Sequence, residues 1–384
     1  MAVYVVIRQP PVYRQLTFED FLNNFQFFQQ PQSVVSKRDI TSTRTYITER
    51  VSDRVRSAVD TDALISVLED YNRRTECFHA AERSDLYRHF CIPKRSGGLR
   101  PIDAPIDEFM AALRDLKEIF ETNFGVLYHT SAFAYVKGRC AVDAVKRHQA
   151  NESKWFGKFD FHNFFGSTTE DFVYRMFSMV FPFSLIVENE RGAAALRKAL
   201  SLCFLNGGLP QGTPISPLIT NIMMIPIDHA LSNRLREFNG QHYIYTRYAD
   251  DMQISSRYTF AIGEIENLIL DVLHEFGAPF QLNTKKTRYG SSAGSNWNLG
   301  VLLNKDNKIT VGHARKKQFQ CMLVSYIRDR RNGIAWDIGD IQAMEGLRNY
   351  YHSVEGDTID RIVQKVNEKL GADVLAMIKR DLAS

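Results

Sequence analysis

Residues 245–254 read YTRYADDMQI and place two aspartates, Asp250 and Asp251, side by side at the end of a tyrosine-rich run. Adjacent carboxylates repel each other, and burying even one unpaired charge costs free energy. Two such groups become stable together when a strong positive charge lies between them, and carboxylate oxygens are the ligands that hard divalent cations prefer. The stretch therefore predicts part of a metal site at the edge of a strand.

Composition limits the classes of protein that the chain can form. Its 384 residues are 44% hydrophobic, which argues against global disorder. The net charge of +4 weakly favours an anionic partner. Five scattered cysteines without a CxxC pair suit a reducing compartment and predict neither a zinc site nor a disulfide framework. The apolar runs are too short for a signal sequence or a membrane span, so we expect a cytoplasmic protein that does not enter membranes.

Hydrophobic periodicity divides the chain into helical and strand-rich parts. Residues 1–76 predict a mostly helical N-terminal extension, with phenylalanines at helical spacing over 18–30. Farther along, helices alternate with short strands, and antiparallel hairpins are expected over 242–256 and 298–311. From residue 315 onward the pattern is helical again. This order is typical of an α+β protein rather than of a doubly wound parallel sheet.

A third aspartate, Asp160, lies in a second aromatic strand, KFDFHNFFGS (158–167). Any one of the three aspartates alone is consistent with a turn or a helix cap. All three lie in apolar strand contexts, where an acidic side chain is otherwise unfavourable. Phosphoryl transfer by two metal ions needs carboxylates from separate strands that converge on ions roughly 3.5–4 Å apart. Asp160 is therefore the expected partner of Asp250 and Asp251.

Seven blocks of sequence carry a resemblance to a known family. In chain order they are IPKRSGGLRPI (92–102), AFAYVKGRCAVDAVKRH (132–148), KFDFHNFFGS (158–167), GGLPQGTPISPLITN (207–221), YTRYADD (245–251), LNTKKT (282–287) and NLGVLL (298–303). A YxDD tetrapeptide alone is weak evidence for a family, whereas seven blocks in the same order over residues 90–312 are strong evidence. The chain resembles reverse transcriptases of the bacterial retroelement type, a group that includes retron, group II intron and phage-defence enzymes.

The resemblance implies a right-hand polymerase fold, with fingers, a palm of antiparallel sheet packed on helices, and a helical thumb. The boundaries it implies are an N-terminal extension over 1–76, fingers over 77–158, palm over 159–304 with finger-derived helices around 170–205, and thumb over 305–384. The segments DAVKRH and LGVLLN differ from the usual retron pattern, and the length after the thumb leaves no room for maturase, endonuclease or ribonuclease H domains. A compact stand-alone polymerase is expected.

The resemblance also implies a metal-dependent catalytic centre. Asp160 and Asp250 would bridge two Mg²⁺ ions, with Asp251 beside them and the Phe161 carbonyl completing one coordination shell. Mn²⁺ is the alternative ion. Lys286 would donate a proton to the leaving pyrophosphate, and Lys285 remains open as the alternative donor.

The resemblance places further residues around the nucleotide. Lys94 and Arg100 flank a glycine turn and would fold over a triphosphate, with an exposed basic hairpin as the less favoured alternative. Phe165 would block a ribose 2′-OH and select deoxynucleotides, whereas its neighbour Phe164 is expected in the core. Gln211 and Gly212 would face the incoming base. Gly212 permits close approach of the backbone, and the Gln211 side chain offers both a hydrogen-bond donor and an acceptor.

The last block implies contacts with the primer. Asn298, Leu299 and Gly300 would form the hairpin that grips the primer end. The segment 305–331 then holds eight Lys and Arg against two acids. Such a run is often only a solvated face, but after a primer-grip hairpin it favours a thumb helix that contacts a phosphate backbone, followed by a second thumb helix over 338–354.

Three functions follow from these observations. The leading one is RNA-directed DNA synthesis from dNTPs, with an RNA template or a noncoding RNA and a DNA product as partners, in a bacterial retroelement or an antiviral defence system. The second is template-independent or protein-primed synthesis at the same site. The third is an RNA-binding scaffold without catalysis, which the intact carboxylate triad disfavours. A partner protein or a homo-oligomer remains open.

Overall fold

The computed structural model describes residues 3–6, 13–16, 59–93, 97–293 and 300–383. The strands are β1 Val3–Val6, β2 Tyr13–Leu16, β3 Tyr87–Pro93, β4 Leu99–Pro105, β5 Trp155–His162, β6 Tyr243–Tyr248, β7 Asp251–Ser256, β8 Gln281–Leu282, β9 Arg288–Ser291, β10 Leu302–Leu303 and β11 Ile309–Thr310. The helices are α1 Thr61–Arg74, α2 Glu76–Ala80, α3 Asp107–Thr122, α4 Ala141–Ala150, α5 Phe164–Ser167, α6 Glu170–Phe177, α7 Phe183–Ile186, α8 Glu190–Ser201, α9 Ser216–Met223, α10 Ile225–Glu237, α11 Ile262–Glu275, α12 His313–Arg331, α13 Ile338–Leu370 and α14 Val374–Ala383.

Five antiparallel strands form the main sheet, in the order β6–β7–β5 with β8 and β9 both paired to the other edge of β5. Consecutive side chains of a strand point to opposite faces of the sheet. In β5, Phe159 and Phe161 belong to the main hydrophobic core, so Lys158 and Asp160 share the other face. The alternation of aromatic and charged residues thus sets which face carries the aspartate.

Helices cover the core face of this sheet. Tyr245, Met252 and Ile254 of β6 and β7 are buried there in one core with residues of α9, α10 and α11. Burying each large apolar side chain contributes roughly 1.5–3 kcal/mol relative to exposing it. The opposite face is covered at one end by a small core that joins α4, β5 and β10, formed by Val145, Phe156, Val301 and Leu303.

The segment after the Gly/Pro-rich loop differs from its prediction. The sequence GGLPQGTPISPLITNIMMIPIDHAL (207–231) predicts a Gly/Pro-rich loop that runs into one long helix, but α9 ends at Met223 and α10 begins at Ile225. Pro226 lies in the first turn of α10, where its missing N–H does no harm. Inside a continuous helix the same proline would remove a hydrogen bond and clash with the preceding turn, so the chain forms two helices instead.

The C-terminal helices enclose a second core. Its buried members include Phe319 and Leu323 of α12, Met344 of α13 and Ile378 of α14. The predicted helix over 338–354 is present as the first part of α13, which contains non-helical backbone at Glu355. Helical structure after residue 315 is confirmed.

The N-terminal prediction needs a correction. Residues 1–76 are expected to be mostly helical, but β1 and β2 pair as an antiparallel hairpin. Their sequences, VYVV and YRQL, are rich in β-branched and aromatic residues that favour strands. The amphipathic pattern TDALISVLEDYNRR (61–74) predicts a helix that begins at a Thr/Asp cap, and α1, capped by Asp60, confirms it. The phenylalanine stripe over 18–30 lies outside the described residues.

Candidate active site

The pairing of β5 with β7 brings the predicted carboxylates together. Asp160 lies directly opposite Asp251 in the antiparallel register, and Asp250 precedes Asp251 in the turn between β6 and β7. The turn is tight: Tyr248 also pairs with Asp251, and Ala249 has a left-handed φ of 57°. Asp160 of β5, Asp251 of β7 and Asp250 of the turn therefore lie at the same end of the sheet.

Burial disfavours the ionised forms of Asp250 and Asp251. Asp160 is only 4% exposed. The pKa of Asp250 is raised by burial and by the negative charges of Asp251 and Asp160. The pKa of Asp251 is also raised, chiefly by burial, although the ammonium of Lys158 opposes the change. The site therefore holds more negative charge than its own surroundings stabilise.

Two lysines partly balance that charge. Lys158 Nζ lies 3.0 Å from Asp251 Oδ2, and Lys286 Nζ donates a 2.9 Å hydrogen bond to Asp160 Oδ2. The sequence motifs did not indicate that Lys158 belongs to the site. Strand alternation was the available signal, because residue 158 is two positions before Asp160 and so lies on the same face of β5.

The donor set suits a hard divalent cation. Carboxylate oxygens predominate, and the excess negative charge would be stabilised by a positive ion. Among the described residues, no group of three or more His, Cys, Asp or Glu side chains converges closely enough to hold an ion, and two of the carboxylates are paired with lysines instead. Phe161, the predicted carbonyl ligand, follows Asp160 in β5, and its ring is buried in the main core.

The two candidate lysines of the LNTKKT segment have different positions. The Asn283 amide donates a 2.7 Å hydrogen bond to the Asp160 carbonyl, so this segment is tied to β5. Both lysines are exposed, but the Lys286 ammonium contacts the Asp160 carboxylate, whereas the Lys285 carbonyl accepts a hydrogen bond from Arg288. The geometry therefore favours Lys286 as the lysine at the site.

The turn after β5 holds the aromatic pair. Phe164 is 3% exposed and belongs to the main core, as predicted, and Phe165 is half-buried with its ring 5.7 Å from that of Phe164. The Phe165 carbonyl accepts a 2.9 Å hydrogen bond from the Leu209 amide. At Gly208 a side chain would collide with the carbonyl of Gly166, so this loop packs closely against the turn.

The same loop contacts the β3–β4 hairpin. The Asp103 amide of β4 donates a 2.8 Å hydrogen bond to the Gln211 carbonyl. Gly212 has a φ of 124°, and a Cβ there would lie 2.9 Å from the Asp103 carbonyl oxygen. A glycine is required for this approach. Arg100 is exposed on the same hairpin, whereas Lys94 lies outside the described residues.

The predicted primer-grip segment is described in part. Asn298 and Leu299 lie outside the described residues. Gly300 has a φ of 96°, and its carbonyl accepts a hydrogen bond from Arg315 of α12. The β10–β11 hairpin follows at once, so this segment is joined to the basic helix. Across the described ranges, no helix has the combination of length and apolarity that crossing a membrane requires.

Comparison with known proteins identifies relatives. A family model described as reverse transcriptase (RNA-dependent DNA polymerase) matches residues 92–320. The chain is 28% identical over 293 residues to the Retron Ec83 reverse transcriptase of Escherichia coli, covering 73% of this chain and 87% of that protein. It is 25% identical over 323 residues to the Retron Mx65 reverse transcriptase of Myxococcus xanthus, covering 81% and 71%.

Among solved structures, a telomerase from Candida albicans in complex with a fragment of telomeric RNA is similar. The TM-score is 0.41 at 11% sequence identity. The match covers 78% of this chain and 61% of the telomerase chain.

Proposed function

The chain belongs to the reverse transcriptase family and is an RNA-directed DNA polymerase with a right-hand polymerase fold, and we propose that Asp160, Asp250 and Asp251 are its catalytic carboxylates. One observation carries the proposal. Asp160 and Asp251 are register partners on neighbouring strands, with Asp250 next to them, although these residues come from distant parts of the sequence. The raised pKa values of Asp250 and Asp251 support a site built for a cation.

Enzymes of this family use divalent metal ions, and we propose Mg²⁺, with Mn²⁺ as a substitute. Asp160, Asp250 and Asp251 would hold two ions together with the Phe161 carbonyl. When bound, the ions would lower the pKa of the primer hydroxyl and neutralise the leaving pyrophosphate. Lys158 and Lys286, which pair with two of these carboxylates, would keep the carboxylates oriented before an ion binds.

The chain's own side chains would bind and orient the nucleotide. Lys286, close to the reacting centre through its bond to Asp160, would hold the proton that the pyrophosphate accepts. Phe165 would exclude a 2′-OH from a half-buried position beside the loop that ends in Gln211 and Gly212. Arg100 and Lys94 would contact the triphosphate from the β3–β4 hairpin.

We propose fingers over 77–158, palm over 159–304 with finger-derived helices around 170–205, and thumb over 305–384. The exposed basic residues of α12 would contact the phosphate backbone of the RNA–DNA duplex, and residues 298–300 would grip the primer. The names of the relatives, retron reverse transcriptases, support a bacterial retroelement of the retron kind. We propose that the template is a noncoding RNA of such a retroelement or of a defence system. The N-terminal extension would bind that RNA, a partner protein or a second copy of the chain.

The test is incorporation of labelled dNTPs by purified protein, with and without a defined RNA template, followed by sequencing of the product. Asp250→Asn should abolish incorporation while RNA binding is retained. Asp271→Asn, the same change at an exposed position of α11, is the matched control and should remain active. A product unrelated to the template would support untemplated synthesis, and activity in Asp250→Asn would remove Asp250 from the catalytic centre.

A further inference from the structure

Arg247 is a fully buried arginine beneath the turn formed by Ala249 and Asp250 between β6 and β7, which we call the catalytic turn. It lies in β6, three residues before Asp250, and is 1% exposed. Its side chain points to the core face of the sheet and meets Asp228 of α10, which is 0% exposed. Arg247 Nη2 lies 2.8 Å from Asp228 Oδ2, Arg247 Nε lies 2.9 Å from Oδ1, and the Tyr245 hydroxyl also donates to Asp228.

The remaining guanidinium nitrogen contacts the catalytic turn itself. Arg247 Nη1 donates a 3.1 Å hydrogen bond to the carbonyl of Ala249 and a 3.2 Å bond to Asn221 Oδ1. Ala249 is the residue directly before Asp250, and its φ of 57° is sterically unfavourable for an alanine. The bond from Arg247 therefore reaches the one residue of the turn whose backbone needs support.

The same residues tie a second segment to the site. The Arg247 amide donates to the Ser131 carbonyl at 2.7 Å, and the Phe133 amide donates to the Arg247 carbonyl at 2.9 Å. Asn221 Nδ2 completes the contact with a 2.6 Å bond to the Ala134 carbonyl. The guanidinium group thus connects α9, α10, the catalytic turn and, through Asn221, the strand-like segment beside β6.

A buried ion pair is weak evidence for stability alone, because desolvation offsets much of the attraction between its charges. An apolar pair would fill the same space, but it could not donate to the Ala249 carbonyl. We infer that Arg247 is a positioning residue for DNA synthesis: with Asp228 as its counter-ion, it holds the left-handed turn at Ala249 that presents Asp250 and Asp251 to Asp160. This inference rests on the proposed role of those carboxylates.

Two changes test the inference against a purely structural role. Arg247→Lys retains a positive charge for Asp228 but lacks the guanidinium group that reaches both Asp228 and Ala249. Ala249→Gly relieves the need for support, because glycine adopts a positive φ without steric cost. The measured quantities are kcat and KM for dNTP on a defined RNA template with a DNA primer, together with the duplex Kd and the melting temperature.

We expect Arg247→Lys to lower kcat at least about tenfold while KM and the duplex Kd change less than about twofold, because small displacements at a reacting centre act on rate. The double variant Arg247→Lys/Ala249→Gly should have a kcat at least about threefold higher than Arg247→Lys alone, since a glycine turn no longer needs the hydrogen bond from Arg247. The control is Arg234→Lys, at the 2.5 Å ion pair with Glu275, which should leave kcat within about twofold of the parent.

Unchanged kcat in a folded Arg247→Lys protein, or absence of rescue by Ala249→Gly, overturns the inference. If Arg247→Lys does not fold, the double change Arg247→Met with Asp228→Asn removes both buried charges and leaves an acceptor for Tyr245. That protein should fold and be slow, and normal kcat in it would also overturn the inference. Asp250→Asn separates the two hypotheses: if it retains activity, the proposed carboxylate role has failed, whatever Arg247→Lys does.

Discussion

Lys286 donates a 2.9 Å hydrogen bond from its ammonium group to Asp160 Oδ2, across 126 positions of sequence. The contact raises the pKa of Lys286, chiefly through this hydrogen bond to Asp160, so the ammonium form is stabilised at neutral pH. A charged lysine beside a catalytic carboxylate can orient that carboxylate and can also carry a proton. Its neighbour Lys285 has the same side chain and is also exposed, but the described contact with Asp160 is made by Lys286.

The pair provides a matched test of the proton donor. Lys286→Gln should lower the rate of nucleotide incorporation about 100-fold in single-turnover assays, because general acid catalysis contributes that order of magnitude. Lys285→Gln removes an identical charge one residue away and should change the rate less than about twofold. Equal effects of the two changes would exclude a special role for Lys286.

Phe165 is expected to control the choice of sugar. Phe165→Ala should reduce discrimination between dNTPs and rNTPs at least about tenfold, because removal of the ring leaves space for a 2′-OH. The measurement is kcat/KM for each nucleotide on the same RNA template. Tyr258→Ala removes an aromatic ring that is 68% exposed and should leave the ratio unchanged. If Phe165→Ala discriminates as the parent does, another residue is the gate.

We expect Lys158 to stabilise the folded protein when no metal ion is bound to the carboxylates. Lys158→Met removes the cation that lies 3.0 Å from Asp251, so the carboxylate cluster loses part of its compensation. In EDTA the melting temperature should fall by about 1–2 °C, and Mg²⁺ should raise it by more than in the parent protein. Lys154→Met changes an exposed lysine just before β5 and serves as the control. A Lys158→Met protein as stable as the parent in EDTA would contradict this expectation.

His148 should make the protein sensitive to acid. The residue is 0% exposed, its ring bonds Ser255 at 2.6 Å and Thr246 at 2.8 Å, and burial lowers its pKa to about 3. The unfolded chain therefore binds a proton near pH 6.5 that the folded chain binds only near pH 3. The stability that depends on neutral His148 is fully present above pH 6.5 and is lost progressively as the pH falls.

Between about pH 7.5 and pH 5 this loss should amount to roughly 2 kcal/mol of unfolding free energy. His148→Asn removes the titrating group, so its unfolding free energy should depend less on pH over this range, even if it is lower at neutral pH. His274→Asn, at an exposed histidine of α11, should keep the parent's pH dependence. Denaturant titrations at several pH values measure both slopes. Identical slopes for His148→Asn and the parent would show that His148 does not contribute to the acid sensitivity.

The amino-acid sequence was sufficient to predict the strands that carry the aspartates and the family to which the chain belongs. Alternation of aromatic and polar residues around Asp160 predicted β5, and the same pattern on both sides of Asp250 predicted the β6–β7 hairpin. These predictions succeed because they depend on local side-chain spacing. The break between α9 and α10 at Pro226 was also readable in principle, since a proline inside a helix has a local cost.

Which side chains contact each other depends on the long-range packing of the folded chain. It distinguishes Lys286 from Lys285, pairs Lys158 with Asp251, and buries Arg247 against Asp228 beneath the catalytic turn. From sequence alone, a charged residue in a strand is predicted to be exposed, because burying an unpaired charge is unfavourable. The prediction changes only when a counter-ion on another helix or strand is known. Sequence spacing sets the face of a strand on which a residue lies, whereas long-range packing sets what that face contacts.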